Sequence, residues 1–325
     1  MAISLEELLL KIPDDTEERV DHTRTQINIE VREAIKRETG LVLNRKVTDQ
    51  NRTNISVPVM LVPGIPEVLK RVIYDDIQGP LLMISPFRRH LEMASDSLGN
   101  IEPLVKILKS DGVCKNLPKD NGGHVESTSS FIDELLELFE DNENDKDKGG
   151  DPVKRILGIN EDVLGVYIYS SGRNSVQKGK IELYWGVIGL VAAMLGIEVE
   201  PLTAVVFIHE IAHAYTHLGA DIDGNRWDNC NFANGDVFLI EGLAQYYTSK
   251  ICEQIDNKYP GTLEAFTALL KHQPAAYQLH DEMTKNIKAE EIRFALLEVR
   301  RKGRRTLNDF FSSLKEAQDI FRKYS

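Results

Sequence analysis

The sequence predicts an α+β protein, with a small mixed sheet and two buried helices in its second half and a largely helical remainder. Three observations lead there. Two short β-branched and aromatic runs, Gly165–Tyr169 (GVYIY) and Ile181–Trp185 (IELYW), flank a polar loop containing Gly172 and Gly179; such runs read as strands around an extended connection. Two apolar stretches follow, Gly186–Leu195 and Glu200–Leu218, each closed by a glycine that stops a helix. The composition, 28% charged and 42% hydrophobic with 22 Gly and 12 Pro in 325 residues, is that of an ordinary globular chain. Collagen-like, coiled-coil and wholly disordered architectures are thereby excluded.

From the N-terminus, helical patterning covers Leu5–Lys11, Thr16–Glu38, a stretch near Leu81–Ala94, Pro103–Lys109 and Ser129–Glu140. In the last of these, Phe131, Leu135, Leu138 and Phe139 recur at the 3/4 spacing of an amphipathic helix. Asn54–Val62 (NISVPVMLV) favours extended backbone, but Pro58 removes a ladder donor and restricts it to an edge strand or an isolated extended segment. Asp141–Pro152 (DNENDKDKGGDP) has no large apolar side chain, so burial cannot repay its ordering entropy. It reads as a flexible acidic linker or loop. The expected organisation is a mostly helical region over 1–140 with no recognisable chemistry, the linker over 141–152, and a domain over 153–325. Within that domain Glu200-Pro201 opens a helix, with Pro in the first turn where its missing N–H costs nothing. Asn234-Gly235-Asp236 forms a turn and N-cap for the next helix, and Ala289–Tyr324 is a long C-terminal helical region.

Asp and Glu number 51 against 39 Lys and Arg, a net charge of −12. An acidic surface repels phosphate backbones, which argues against nucleic acid or anionic membrane as partner. Cys114, Cys230 and Cys252 are odd in number and form no CxxC pair, so a disulfide framework is not expected and a reducing compartment is. The most apolar stretch, Val187–Ile197, falls short of the ~20 residues a membrane span needs. The N-terminal MAISLEELLLKIPDD carries Glu6 and Glu7 and no basic n-region, unlike a signal peptide. A cytoplasmic location is the expectation.

Chemistry concentrates in His209-Glu210-Ile211-Ala212-His213. Residues i and i+4 of a helix lie roughly 40° apart around its axis, so both imidazoles project from one face and can grip one metal ion. Glu210 lies about 100° round from His209, where its carboxylate can reach a water beside the metal without being a ligand. Phe207, Ile211, Ala214 and Leu218 occupy the opposite side, and Val205, Val206 and Ala212 much of the rest. A buried helix that presents two imidazoles and a carboxylate needs partners for them, and a metal supplies them. Downstream, Ile240-Glu241-Gly242-Leu243-Ala244-Gln245-Tyr246-Tyr247 starts the next helix. Glu241 is a suitable third ligand, with Gly242 and Ala244 permitting close helix approach. Two neutral imidazoles and one carboxylate leave the fourth position of a tetrahedral Zn²⁺ site open, as a catalytic site requires.

HEIAH followed by EGLAQYY resembles a gluzincin metallopeptidase, the thermolysin-like branch of the zincins. The resemblance covers about Gly165–Tyr247. It implies a zincin-like catalytic lobe, one Zn²⁺ held by His209, His213 and Glu241, and Glu210 as general base. It further implies that the strand before the active helix, here Ile181–Trp185, pairs with an extended peptide substrate through its edge. Many gluzincins carry Asp four residues after the ligand Glu, where it orients a ligand histidine; that position is Gln245, which can accept a hydrogen bond but supplies no charge. The metzincin pattern is excluded, because it needs a third histidine where Gly219 stands. The implied reaction is peptide hydrolysis by a metal-activated water, Glu210 carrying the proton to the leaving amine. A further donor for the oxyanion is sought among Tyr246, Tyr247, Tyr277, His217 and His280, with Tyr247 as the candidate catalytic residue.

Two other functions fit the same residues: hydrolysis of a non-peptide amide, and a zinc-containing binding or regulatory protein that does not turn over. Three weaker signals remain. Asp221-x-Asp223-Gly224-Asn225 is a partial calcium loop without the closing acid. Cys230 reads as a small buried or loop cysteine, with an inhibitory thiolate on a zinc as the alternative, and Arg300–Arg305 is a basic cluster, solvated or docking an acidic partner.

Overall fold

The computed structural model describes residues 12–48, 51–63, 163–171, 176–221, 232–284 and 287–324. The segments Leu5–Lys11, Leu81–Ala94, Pro103–Lys109, Ser129–Glu140 and Asp141–Pro152 lie outside these residues, as do Asp223–Asn225, Cys114 and Cys230. The described chain is mostly helical with a small mixed three-stranded sheet, compatible with an α+β class. It divides into two compact units, one of Met1–Asp21, Leu61–Leu164 and Tyr184–Val199, the other of His22–Met60, Gly165–Leu183 and Glu200–Ser325.

Helix α1 (Thr16–Thr39) buries Val20, Thr23, Ile27, Val31, Ala34 and Ile35, a single apolar stripe at 3/4 spacing. Gly40 closes it at φ +63°, its N–H donating to the Lys36 carbonyl. Strands β1 (Asn44–Thr48) and β2 (Asn51–Asn54) form an antiparallel pair. Pro58 directly precedes β3 (Val59–Val62), its carbonyl accepting from the Ile181 N–H at 2.8 Å, and β3 sits at one edge of the three-stranded sheet, as proline demands.

That sheet runs β3-β5-β4. Strand β4 (Gly165–Ser171) pairs antiparallel with β5 (Val176–Tyr184), Gly165 opposite Leu183, Tyr167 opposite Ile181 and Tyr169 opposite Gly179. The expected strand at Ile181–Trp185 is therefore the last part of β5, and Trp185 already belongs to the next helix. It is also central rather than an edge, because both its sides are hydrogen-bonded to neighbouring strands. Among the described residues the edge positions belong to β3 and β4.

In the first unit, α2 (Trp185–Leu195) buries Trp185–Ala192 without a break and ends at Gly196, φ +66°. Gly189 admits Thr16, whose Cγ2 would lie 2.9 Å from an added Cβ. In the second unit, α3 (Val199–Leu218) is buried on every side from Leu202 onward. A helix apolar all round belongs in a core. Its far end is closed by three contacts: a bridge between Val42 and Ala220, Gly219 N–H to the Tyr215 carbonyl, and the Arg300 Nη2 donating to the Gly219 carbonyl at 2.7 Å. Gly219 has no positive φ. It is required for space, since a Cβ would stand 2.4 Å from the Tyr215 oxygen and 2.7 Å from Leu41 Cβ.

Helix α4 (Val237–Ile255) starts at the expected N-cap, the Asp236 carboxylate accepting from Phe238 N–H at 3.0 Å. Helices α5 (Thr262–Leu270), α6 (Ala275–Gln278) and α7 (His280–Thr284) pack against it. The C-terminal helical region is two helices, α8 (Ala289–Arg301) and α9 (Leu307–Tyr324), split at Gly303 with φ +62°. The break falls in the basic cluster and disperses it. Arg300 is wholly buried, Arg301 and Lys302 engage Glu298, and Arg304 faces Asp309. Among the described residues no helix is long and apolar enough to cross a membrane.

Candidate metal centre

The second unit places α3 and α4 so that three ligand-type side chains converge. His209 and His213, one turn apart, bring their Nε2 atoms within 3.0 Å. Their rings are nearly perpendicular, 86° at a centroid distance of 4.6 Å, so both nitrogens aim at one point from different planes. Glu241, in the second turn of α4, sets Oε2 3.2 Å from His209 Nε2 and 3.4 Å from His213 Nε2. All three residues are buried. Among the described residues this is the cluster of His, Cys, Asp and Glu whose ligand atoms gather closely enough for a metal. A tetrahedral zinc site with ligands at about 2.0–2.2 Å has ligand–ligand edges of roughly 3.3–3.6 Å. Three mutual separations of 3.0, 3.2 and 3.4 Å come close to one triangular face of such a tetrahedron. The nitrogen and carboxylate donors suit the same ion.

The electrostatics agree with that donor set. Burial opposes ionisation of Glu241, but the imidazoles of His213 and His209 beside it outweigh burial and hold its carboxyl well below the usual carboxylate range. It stays anionic, as a metal ligand would need to be. His217, one more turn along α3, is 3% exposed, and burial, then His213 and Arg300, push its pKa far down, leaving it neutral. Its ring lies 5.3 Å from Tyr167, 5.6 Å from Tyr169 and 5.5 Å from Phe232.

Strand β4 supplies the wall beside α3. With side chains alternating, Gly165, Tyr167 and Tyr169 share one face. Tyr167 lies nearly parallel to His213, 11° at 6.3 Å. Gly179, opposite Tyr169 in the register, leaves the space Tyr167 fills; a Cβ there would meet the Tyr167 ring at 2.7 Å. At Gly165 the strand backbone presses on Glu210: a Cβ would lie 3.0 Å from Glu210 Cγ and 3.2 Å from its Oε1. Glu210 is 1% exposed and stands outside the three-atom ligand cluster.

Of the five side chains weighed as oxyanion donors, two come against the cluster: Tyr277, its ring stacked on His209 at 5.8 Å and 27°, and the neutral His217, 5.8 Å from His213. Tyr247 does not come there. Six residues beyond Glu241, at ~100° each, it stands about 120° from it around α4. It packs against Tyr246, with Glu38 and Arg293 as its charged neighbours, and burial drives its phenol pKa upward. His280 is buried with Nδ1 3.0 Å from the Tyr277 carbonyl and its ring edge-on to Phe266. Gln245 shares the face of Glu241, yet its amide donates to Gln273 Oε1 at 2.8 Å, and its own Oε1 accepts no hydrogen bond among the described residues. It does not orient a ligand histidine. Gly242 faces Met283 and Leu279, whose carbons lie 3.2–3.3 Å from where its Cβ would be. Tyr167 and Tyr169 were not among the sequence-derived site residues, although the alternation of GVYIY puts them on one face.

Comparison of the chain with protein families, with curated proteins and with solved structures finds no match.

Proposed function

We propose that this protein is a zinc-dependent peptidase of the gluzincin type, holding one Zn²⁺ through His209, His213 and Glu241. The observation that carries the reading is the convergence of those three buried donor atoms at 3.0–3.4 Å, with the buried Glu210 next along the helix. When bound, zinc supplies Lewis acidity, acidifying water and polarising an amide carbonyl. The chain's own residues do the rest. Glu210 takes the proton at its carboxylate and delivers it to the leaving nitrogen; the backbone of Gly165 fixes where that carboxylate sits. Tyr277, flat against His209, is the phenol best placed to donate to developing negative charge. Tyr167 against His213 and Tyr277 against His209 hold the two imidazoles and exclude water around them. An extended peptide substrate pairs with β4, since β5 has a strand on each side. A cytoplasmic setting agrees with the free, buried Cys252.

Metal analysis of the purified chain is expected to find one zinc, lost in His213→Ala. Peptide libraries incubated with wild type and with Glu210→Gln then separate peptidase from scaffold. Cleavage by wild type and not by Glu210→Gln supports the proposal. A zinc-free wild type, or equal cleavage by both, defeats it; zinc without cleavage leaves a binding protein.

A further inference from the structure

A second feature of the same unit lies on α1. Arg24, Asn28 and Arg32 recur at i, i+4 and i+8, so they form one stripe along the helix. Opposite them runs Ile55–Val59, and between the two is a half-open groove of about 430 Å³ that Thr25 and Ser56 also line. Both arginines span it: Arg24 Nη1 donates to the Val59 carbonyl and Arg32 Nη2 to the Val57 carbonyl, each at 2.8 Å. Arg32 Nε donates to Asn28 Oδ1 at 2.7 Å. These bonds fix the Arg32 guanidinium in place but use only two of its five donors. Among the described residues no carboxylate pairs with Arg32. Burial lowers its pKa, and the Tyr215 phenol acts on it in the opposite sense. A half-buried cation held rigid, uncompensated by an acid in a chain of net charge −12, has three donors left for an oxyanion.

The geometry points to a binding site for a small organic oxyanion, a carboxylate or phosphoryl group on a short apolar body, with its charged head on Arg32. The volume matches the lower part of the ~300–1,000 Å³ range of small-ligand sites and exceeds what a bare ion fills. Ile55, Val57 and Val59 offer the apolar wall for the body, while the Thr25 and Ser56 hydroxyls and the Asn28 amide offer further polar contacts. The groove shares no residue with the His209–His213–Glu241 cluster and does not depend on a metal being bound there.

The test is isothermal titration of the full chain with three probes: inorganic phosphate, butyl phosphate and pentanoate. At least one alkyl anion is expected to bind saturably and more tightly than inorganic phosphate. Which of the two binds better tells a phosphoryl from a carboxylate site. Arg32→Met should weaken that binding at least tenfold, and Arg32→Lys, which keeps charge but loses the fork, by less. Circular dichroism checks that each variant is folded. Should Arg32→Met not fold, the exposed Ser56→Ala and Thr25→Ala variants carry the test, with an expected loss of about threefold together. No saturable binding of any probe to wild type, or undiminished affinity in folded Arg32→Met, overturns the assignment.

Discussion

Replacing Gly165 by alanine adds a single methyl group where the chain has no room for one. The new carbon would stand 2.8 Å from Val206 Cγ1, 3.0 Å from Glu210 Cγ and 3.2 Å from Glu210 Oε1, all inside the 3.4–4 Å of ordinary van der Waals contact. Val206 cannot yield easily, being β-branched, buried and within a helix, where one χ1 rotamer dominates. Glu210 is 1% exposed, so its carboxylate cannot swing into solvent. Relief must come from moving β4 or the Glu210 side chain by about half an ångström or more, and overpacking of this kind costs about 1–3 kcal/mol. Displacing a proton-transfer group by up to ~1 Å lowers turnover by as much as ~100-fold. The His209, His213 and Glu241 ligand atoms are not among the nearest neighbours of the new methyl. Gly165→Ala should therefore keep one zinc per chain by metal analysis, lose about 1–3 kcal/mol in urea unfolding, and cleave peptides about 10–100-fold more slowly at saturating substrate. Wild-type stability and turnover in Gly165→Ala would refute the packing argument. Loss of zinc with the fold intact would show that the strand supports the ligands rather than the base.

Other predictions follow the same contacts. Tyr277→Phe should lower kcat by about 10–100-fold with little change in KM, whereas Tyr247→Phe should leave both unchanged; the reverse ranking in steady-state kinetics would move the oxyanion donor to α4. Arg300→Met strips the Gly219 carbonyl, just past the end of α3, of a buried donor and should destabilise by about 1–3 kcal/mol in urea unfolding. Glu298 is held at about 2 by hydrogen bonds from Arg301 and then Lys302. Its folded pKa is below its unfolded one, so its contribution is present above about pH 4.5 and fades as the pH falls towards 2. Because the Arg301 and Lys302 partners reach solvent, screening holds that contribution under about 1 kcal/mol, and Glu298→Gln should shrink the stability difference between pH 6 and pH 3 by no more than this.

What could be read in the chain and what could not divide along physical lines. The α3 register, its glycine stop and the shared face of His209 and His213 are local properties of an ~100° repeat, and the Asp236 cap placed Glu241 near the start of its helix in the same way. The same arithmetic on α4 separates Tyr247 from Glu241 by about 120°. Choosing Tyr277 needs the packing of α6 against α4, some thirty residues on, which no local periodicity contains. Strand order is likewise non-local: IELYW carries no mark that β3 and β4 flank it on both sides. Arg300 looks like one member of a basic run, and only the turn at Gly303 and the approach of Gly219 turn it inward.

The burial of α3 on all sides has a kinetic consequence. His209, His213 and Glu241 are each 9% exposed or less, and the helix that carries two of them has no solvent-facing stripe beyond its first turns. A chelator in solution, like the peptide substrate itself, reaches an ion in that position through an opening fluctuation of the surrounding helices. The exchange half-life of a metal held there would be set by how often the second unit opens, and would stay flat as chelator concentration rises once capture outruns reclosing.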